Sequence, residues 1–219
     1  MAGTTPKRKA GLNRLRTRMA PDARRRAILA VALEVFSSRE YSKVTVRDVA
    51  AAADINEALI YYYFKSKERL VAAVIGHATR QALDLYAKRT ARLKDPIAAL
   101  DAWFQVNAAF FAPLRQMAQI LVQYQSTSRR NPLIDEQVRK LYRSERGILR
   151  RCIAVGVKNG SFRRLNPAAA AMFISAHLDG MCFVSITRPW TQMRSFMGGQ
   201  WGELWSYLGC ESRVISGTS

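Results

Sequence analysis

Apolar positions recur at helical spacing along nearly the whole chain, and the breaks between runs fall at residues that start or stop helices. Pro21-Asp22 opens the first run, in which Ile28, Leu29, Val31, Ala32, Val35 and Phe36 share a face. Ser37 to Lys43 reads as a loop. Thr45 then caps a short helix with Val46, Val49 and Ala50 inward, and Asp48 stands at the capping-box spacing. Asp54 marks a corner, and Asn56 is suited to cap a second short helix ending near Tyr63. Ser66 caps a third, with Glu68 in its first turn, carrying Leu70, Val74, Ile75, Ala78 and Leu85 to about Leu93.

Further on, proline punctuates the pattern. Asp95-Pro96 starts a helix with Ile97, Leu100, Trp103, Phe104, Asn107 and Phe111 on one side, and Pro113 restarts the chain into Leu114, Met117, Ile120, Leu121 and Tyr124. Asn131-Pro132 opens a long pattern from Leu133 to about Lys158, which Asn159-Gly160 stops. Asn166-Pro167 begins a strongly apolar helix to about Thr187, and Pro189 a weaker one. No strand alternation, internal repeat or glycine-rich phosphate loop interrupts this. The expected fold class is all-α.

Two short helices about a tight corner, followed by a longer one, are the layout of a helix-turn-helix. A recognition helix must be short so that its first residues reach base edges while its flanks touch phosphate. On the 56–63 helix the exposed candidates are Glu57, Ala58, Tyr61 and Tyr62. Glu57 is the odd member, because a carboxylate at DNA is repelled unless it accepts from cytosine N4.

The residues Thr45-Val46-Arg47-Asp48-Val49-Ala50, Ala53-Asp54-Ile55 and Leu59-Ile60-Tyr61-Tyr62-Tyr63-Phe64-Lys65-Ser66-Lys67-Glu68-Arg69-Leu70 resemble the signature of the tetracycline-repressor (TetR) family. The resemblance covers roughly residues 22–70; beyond them it extends only to an all-helical architecture. It implies a three-helix DNA-binding head, with Thr45, Arg47, Asn56, Glu57, Ala58, Tyr61, Tyr62, Tyr63 and Lys67 at duplex DNA. Within that set Arg47 is matched to guanine, Tyr61 and Lys67 to phosphate, and Tyr62 and Tyr63 to the groove face. It also implies a C-terminal helical bundle for ligand binding and dimerisation. Two departures show: Asp54 stands where the family usually has glycine, and Glu40 precedes Tyr41 where glycine is favoured. Asp tolerates the left-handed conformation, so the turn is expected to survive.

Charge adds less than its size suggests. The formal net charge is +19 over 219 residues, with 15 Lys/Arg against 7 Asp/Glu in residues 1–70 and 20 against 9 in the rest. Such an excess attracts polyanions without locating the DNA surface. Residues 1–20 read as a disordered basic arm, 21–70 as the DNA-binding domain and 71–219 as the effector-binding and dimerisation domain. Lys7 to Arg18 with Arg24–Arg26 either enter the minor groove or form a solvated tail.

In the C-terminal region, Trp103, Phe104, Asn107, Phe111, Met117, Tyr124, His177 and Met181 are the candidate effector-binding residues, aromatic and apolar around a few polar groups. Plain core is the alternative for each, and His177 reads more naturally as a satisfied core or interface histidine. Arg139, Arg143, Arg146 and Arg150 form a basic stripe, either solvated or bound to an acidic effector. The 167–187 helix, apolar on most sides, is expected to be buried in a bundle across a two-fold axis.

Enzyme chemistry finds no support. His77 and His177 lie in separate helices, no HExxH, nucleophile elbow or Walker loop occurs, and Cys152, Cys182 and Cys210 lack zinc spacing. No catalytic residue, metal or cofactor is expected. Arg and Lys are read as interrupting every apolar run, so no membrane partner is expected either, and the unpaired cysteines fit the cytoplasm. The sequence therefore predicts a homodimeric regulator, most simply a repressor released from a palindromic operator by a small molecule. The rival is a basic architectural DNA-binding protein without an effector.

Overall fold

The computed structural model describes residues 19–127, 130–188 and 193–210. Nine helices and no strand occur among them: α1 (Pro21–Ser38), α2 (Val46–Ala53), α3 (Glu57–Phe64), α4 (Lys67–Thr90), α5 (Pro96–Ala109), α6 (Phe111–Gln125), α7 (Pro132–Lys158), α8 (Pro167–Thr187) and α9 (Met193–Tyr207). The expected all-α class is met. The arm through residue 18 and the helix start at Pro189 lie outside the described residues.

Local chemistry explains most of the boundaries. Thr45 and Asp48 form the capping box, with the Asp48 N–H donating to Thr45 Oγ1 at 3.2 Å and the Thr45 N–H to Asp48 Oδ2 at 2.8 Å. Asn56, Asp95 and Asn166 cap α3, α5 and α8 through side-chain oxygens. Ser66 Oγ accepts from the Arg69 N–H at 3.2 Å at the start of α4. Two expectations shift. Helix α4 stops at Thr90 rather than Leu93, and α6 begins at Phe111, so Pro113 sits inside its first turn instead of opening it. Proline is tolerated there because the first N–H groups of a helix lack intrahelical acceptors. The break falls at Phe110, where the chain bends by 70°.

Two compact units share the chain: the described residues up to Ala78 with 119–138, and 79–118 with those from Arg139 onward. In the first, Ile28, Leu29, Ala32 and Phe36 of α1 are buried, as are Val49 and Ala53 of α2, Ile60 and Phe64 of α3, and Leu70, Val71 and Ile75 of α4. Residues 119–138 enter this unit through Tyr124, which packs edge-on to Tyr41 at 5.7 Å.

In the second unit, Leu100, Trp103 and Phe104 of α5 form a core with Leu149 and Ile153 of α7, Ile174 and Leu178 of α8, and Leu204 and Trp205 of α9. The turn after α7 is held tightly against it. A Cβ at Gly156 would lie 2.1 Å from Cδ2 of buried Phe162. Gly156→Ala is therefore expected to destabilise by about 1–3 kcal/mol, although alanine is the better helix former. Urea unfolding measures this, and a gain in stability would show that the Phe162 ring moves aside freely.

Helix α8 corrects the expectation that Arg and Lys interrupt every apolar run. Its only Asp, Glu, Lys or Arg is Asp179, and it is long and apolar enough, by length and composition alone, to cross a membrane. Its two sides differ within the single chain. Ala170, Ala171, Ile174, Leu178 and Met181 pack inward, while Met172, Phe173 and Phe183 remain about half exposed.

Candidate functional site

The capped pair α2–α3 presents a compact polar and aromatic surface. Asp54 joins the helices in the left-handed conformation (φ 53°, ψ 48°), so the glycine of the resembling family is not needed here. Arg47, Ala58, Tyr61 and Tyr62 are exposed, the tyrosines by 44% and 70%, which is unusual for aromatics beside an intact core. Glu57 and Tyr63 are half-buried. Tyr63 turns its ring edge-on to Tyr62 at 5.2 Å.

Not every predicted contact residue is equally free. The Thr45 hydroxyl donates to Asp48 Oδ2 at 2.6 Å, and Asn56 Oδ1 accepts the Ala58 N–H at 2.8 Å, so both are engaged in capping. The Thr45 hydroxyl and backbone N–H, with Arg39 at 3.1 Å, hold the Asp48 carboxyl below its ordinary pKa. Lys67 departs furthest from the expected phosphate anchor. Its ammonium donates to the Tyr41 carbonyl at 2.5 Å and sits 4.5 Å from the centre of the Tyr41 ring. Burial lowers its pKa, so a phosphate would have to share an ammonium the loop already holds. Sequence reasoning passed over Lys65, which is exposed at a positive φ of 66° with Nζ 5.6 Å from the Tyr62 ring. Its place beside the tyrosine run was the available signal.

The eight candidate effector residues are not brought together. Trp103 and Asn107 line a closed cavity of about 30 Å³ in the second unit, with Leu83, Leu114, Ser144 and Glu145. Asn107 Nδ2 donates to the Trp103 carbonyl at 2.9 Å, while Trp103 Nε1 is buried without a hydrogen-bond partner among the described residues. Phe104 instead packs on Trp201 and Trp205 at 5.2 and 5.3 Å, and Met181 belongs to the same core. Phe111 and Met117 are buried on α6 outside the lining. Tyr124 lies in the first unit, its hydroxyl 3.1 Å from Asp135 Oδ1 and 3.2 Å from the Asn131 carbonyl. Trp103 belongs to the second unit. His177 is half-buried beside Phe173, and its Nε2 lacks a hydrogen-bond partner among the described residues.

Glu145, missed in the sequence, is the most perturbed acid. It is 7% exposed and accepts from Ser175 Oγ at 2.6 Å. Burial pushes its carboxyl up to about 7; the Ser175 bond opposes this, the Asp179 charge adds to it, and Arg146 opposes. Burial likewise pushes the Cys182 thiol up to about 12 and raises Cys152, so neither has the depressed pKa of a reactive thiol.

A second, open groove of about 420 Å³ runs between α4 and α7, lined by Leu83, Tyr86, Thr90, Arg143, Ser144 and Arg151 among others. All four arginines of the predicted stripe are exposed, but only Arg143 reaches this groove, and its companion is Arg151. No group of three His, Cys, Asp or Glu side chains able to hold a metal occurs among the described residues.

Comparison with known proteins agrees with this geometry. The family model described as "Bacterial regulatory proteins, tetR family" matches residues 28–74, which span the capped pair and the start of α4. The chain is 31% identical over 156 residues to the HTH-type transcriptional repressor KstR2 of Mycolicibacterium smegmatis, covering 66% of this chain and 73% of that protein. It is 26% identical to the HTH-type transcriptional regulator LuxR of Vibrio harveyi, covering 77% and 94%. A crystal structure of a transcriptional regulator from Saccharomonospora viridis in complex with choline shares the fold at a TM-score of 0.69 and 23% identity, covering 83% of this chain and 96% of that one. With its helix-turn-helix intact and a relative matched over most of its length, the chain belongs to the tetR family of bacterial regulatory proteins, which are DNA-binding transcriptional regulators and not enzymes.

Proposed function

We propose that the protein is a homodimeric repressor, working in the cytoplasm, whose two heads enter successive major grooves of a pseudo-palindromic operator. A small molecule bound in the second unit releases it. The head spans residues 21–70 and the effector and dimer region 71–219, with the basic arm adding affinity. The observation that carries DNA reading is the exposed tyrosine pair on a short, capped α3 beside the exposed Arg47. Dimerisation is supported by the apolar face of α8, where Met172, Phe173 and Phe183 stand open.

Effector control is supported by the cavity at Trp103 and Asn107, and by the choline bound in the Saccharomonospora viridis relative, which gives a precedent for a small organic ligand in this fold. At about 30 Å³ the closed cavity holds little more than water, so an effector has to widen it. Helix α6 carries the consequence. Leu114 near its start lines the cavity, and Gln123 near its end accepts the Tyr41 N–H at 2.5 Å in the loop ahead of α2. Movement of α6 is thereby passed to the head.

Selection of bound duplexes from a random pool, with light scattering for mass, tests the reading. A palindromic consensus bound by dimers is expected; sequence-indifferent coating would instead establish the architectural rival. Arg47→Ala is expected to weaken operator binding by about 1–3 kcal/mol and relax one base position. An unchanged base preference in that variant removes Arg47 from direct readout.

A further inference from the structure

We infer that the effector is an amphiphile with an anionic head, held by Arg143 and Arg151 over the α4–α7 groove, with its apolar part directed past Leu83 and Ser144 to the cavity at Trp103. This rests on the effector reading above and names the ligand class of that same site. Arg143 and Arg151 stand two helical turns apart on one face of α7 and both line the groove. Neither makes an ion pair with a described residue. Gly147 lies between them, and a Cβ there would come within 3.3 Å of Arg151 Nη1, so the missing side chain keeps the groove floor open.

Leu83, Tyr86, Ala87 and Ile148 supply apolar walls, as an aliphatic ligand requires. Leu83 and Ser144 line the groove and the cavity alike, so the two spaces adjoin. Beyond them the cavity is walled by Ala82, Val106, Leu114 and Leu141, surfaces that fit an alkyl or ring system. A cationic ligand fits worse. The carboxyl group in the cavity, that of Glu145, is engaged by Ser175, and a cation would have to pass the two arginines to reach it.

The test titrates the purified protein with decanoate, decyl phosphate, decanol and decylamine, followed by calorimetry. Both anions are expected to bind more tightly than decanol or decylamine, the tighter one identifying the head as carboxylate or phosphate. Arg143→Met and Arg151→Met should each weaken anion binding about tenfold, the worth of a charge-assisted contact. Gly147→Leu should abolish it by filling the floor, with thermal unfolding confirming that each variant folds. Binding should also weaken with added salt. Decylamine binding as tightly as decanoate, anion binding indifferent to both arginines, or no binding by any of the four overturns the inference. Arginine-dependent anion binding that leaves operator affinity unchanged supports this ligand class and removes effector release instead; absence of any preferred duplex removes the regulator reading independently.

Discussion

Tyr41→Ala destabilises the protein by about 3–5 kcal/mol, the range for truncating a buried aromatic. Tyr41 is 7% exposed and is the centre of a cluster rather than its edge. Its ring lies 6.1 Å from Phe36 and 5.7 Å from Tyr124, and the Lys67 ammonium sits over it. Burial has pushed the phenol up to about 12, so it is neutral across the physiological range. Removing the ring opens a cavity among Phe36, Tyr124 and Lys67 and leaves a half-buried ammonium without its aromatic partner. Tyr41→Phe keeps the ring and is expected within about 0.5 kcal/mol of the parent. Denaturant unfolding of both variants decides the matter: a loss below 1 kcal/mol for alanine, with phenylalanine equal to it, would show that the ring contacts contribute little.

The same cluster joins stability to function. The Tyr41 N–H bonds Gln123 on α6 and its carbonyl accepts Lys67 at the start of α4, so one loop residue ties both helices to the entry of α2. Under the repressor reading, alanine at position 41 should therefore blunt the effector's influence on operator affinity in the fraction that folds, whereas phenylalanine should preserve it.

Legibility in the sequence follows how local each interaction is. The capping box at Thr45 and Asp48, the corner at Asp54 and the cap at Asn56 depend on residues within four positions, and all three stand as read. The role of Lys67 depends on the Tyr41 carbonyl, which is 26 positions away, so the sequence showed only a cation where the fold has a tether. Aromatic character alone groups Tyr124 with Trp103 in the sequence, whereas the fold packs Tyr124 on Tyr41. On α7 periodicity alone defines the arginine stripe. Which of its members faces a groove is decided by where α4 lies, and that selects Arg143 with Arg151. Glu145 gave no signal, because a carboxylate within a basic, helical run looks solvated until its burial is known.

Glu145→Gln raises stability at alkaline pH by about 2–3 kcal/mol and flattens its pH dependence. The carboxyl titrates at about 7 in the fold against an ordinary 4.5, so between these values the folded protein keeps a proton that the unfolded chain has released. Stability contributed by this group is thus greatest below pH 4.5, declines as pH rises, and is fully lost above about 7. Burial is the leading cause, and the groups facing the carboxyl divide between relief and strain. Ser175 donates to it and Arg146 attracts it, while Asp179, itself raised by burial and bonded to Tyr142, repels it. Glutamine keeps the shape and can still accept from Ser175, yet carries no charge to desolvate. Unfolding in urea at pH 5 and pH 8 should show the parent losing stability between the two and the variant holding it. A parallel decline in both would place the pH dependence elsewhere. A neutral, acid-form Glu145 beside Trp103 also means that the cavity presents no net charge to the apolar end of an effector below pH 7, while the arginines at the groove keep theirs. Raising the pH past 7 ionises the cavity's inner end, so tail-driven binding should weaken there in the parent and not in Glu145→Gln.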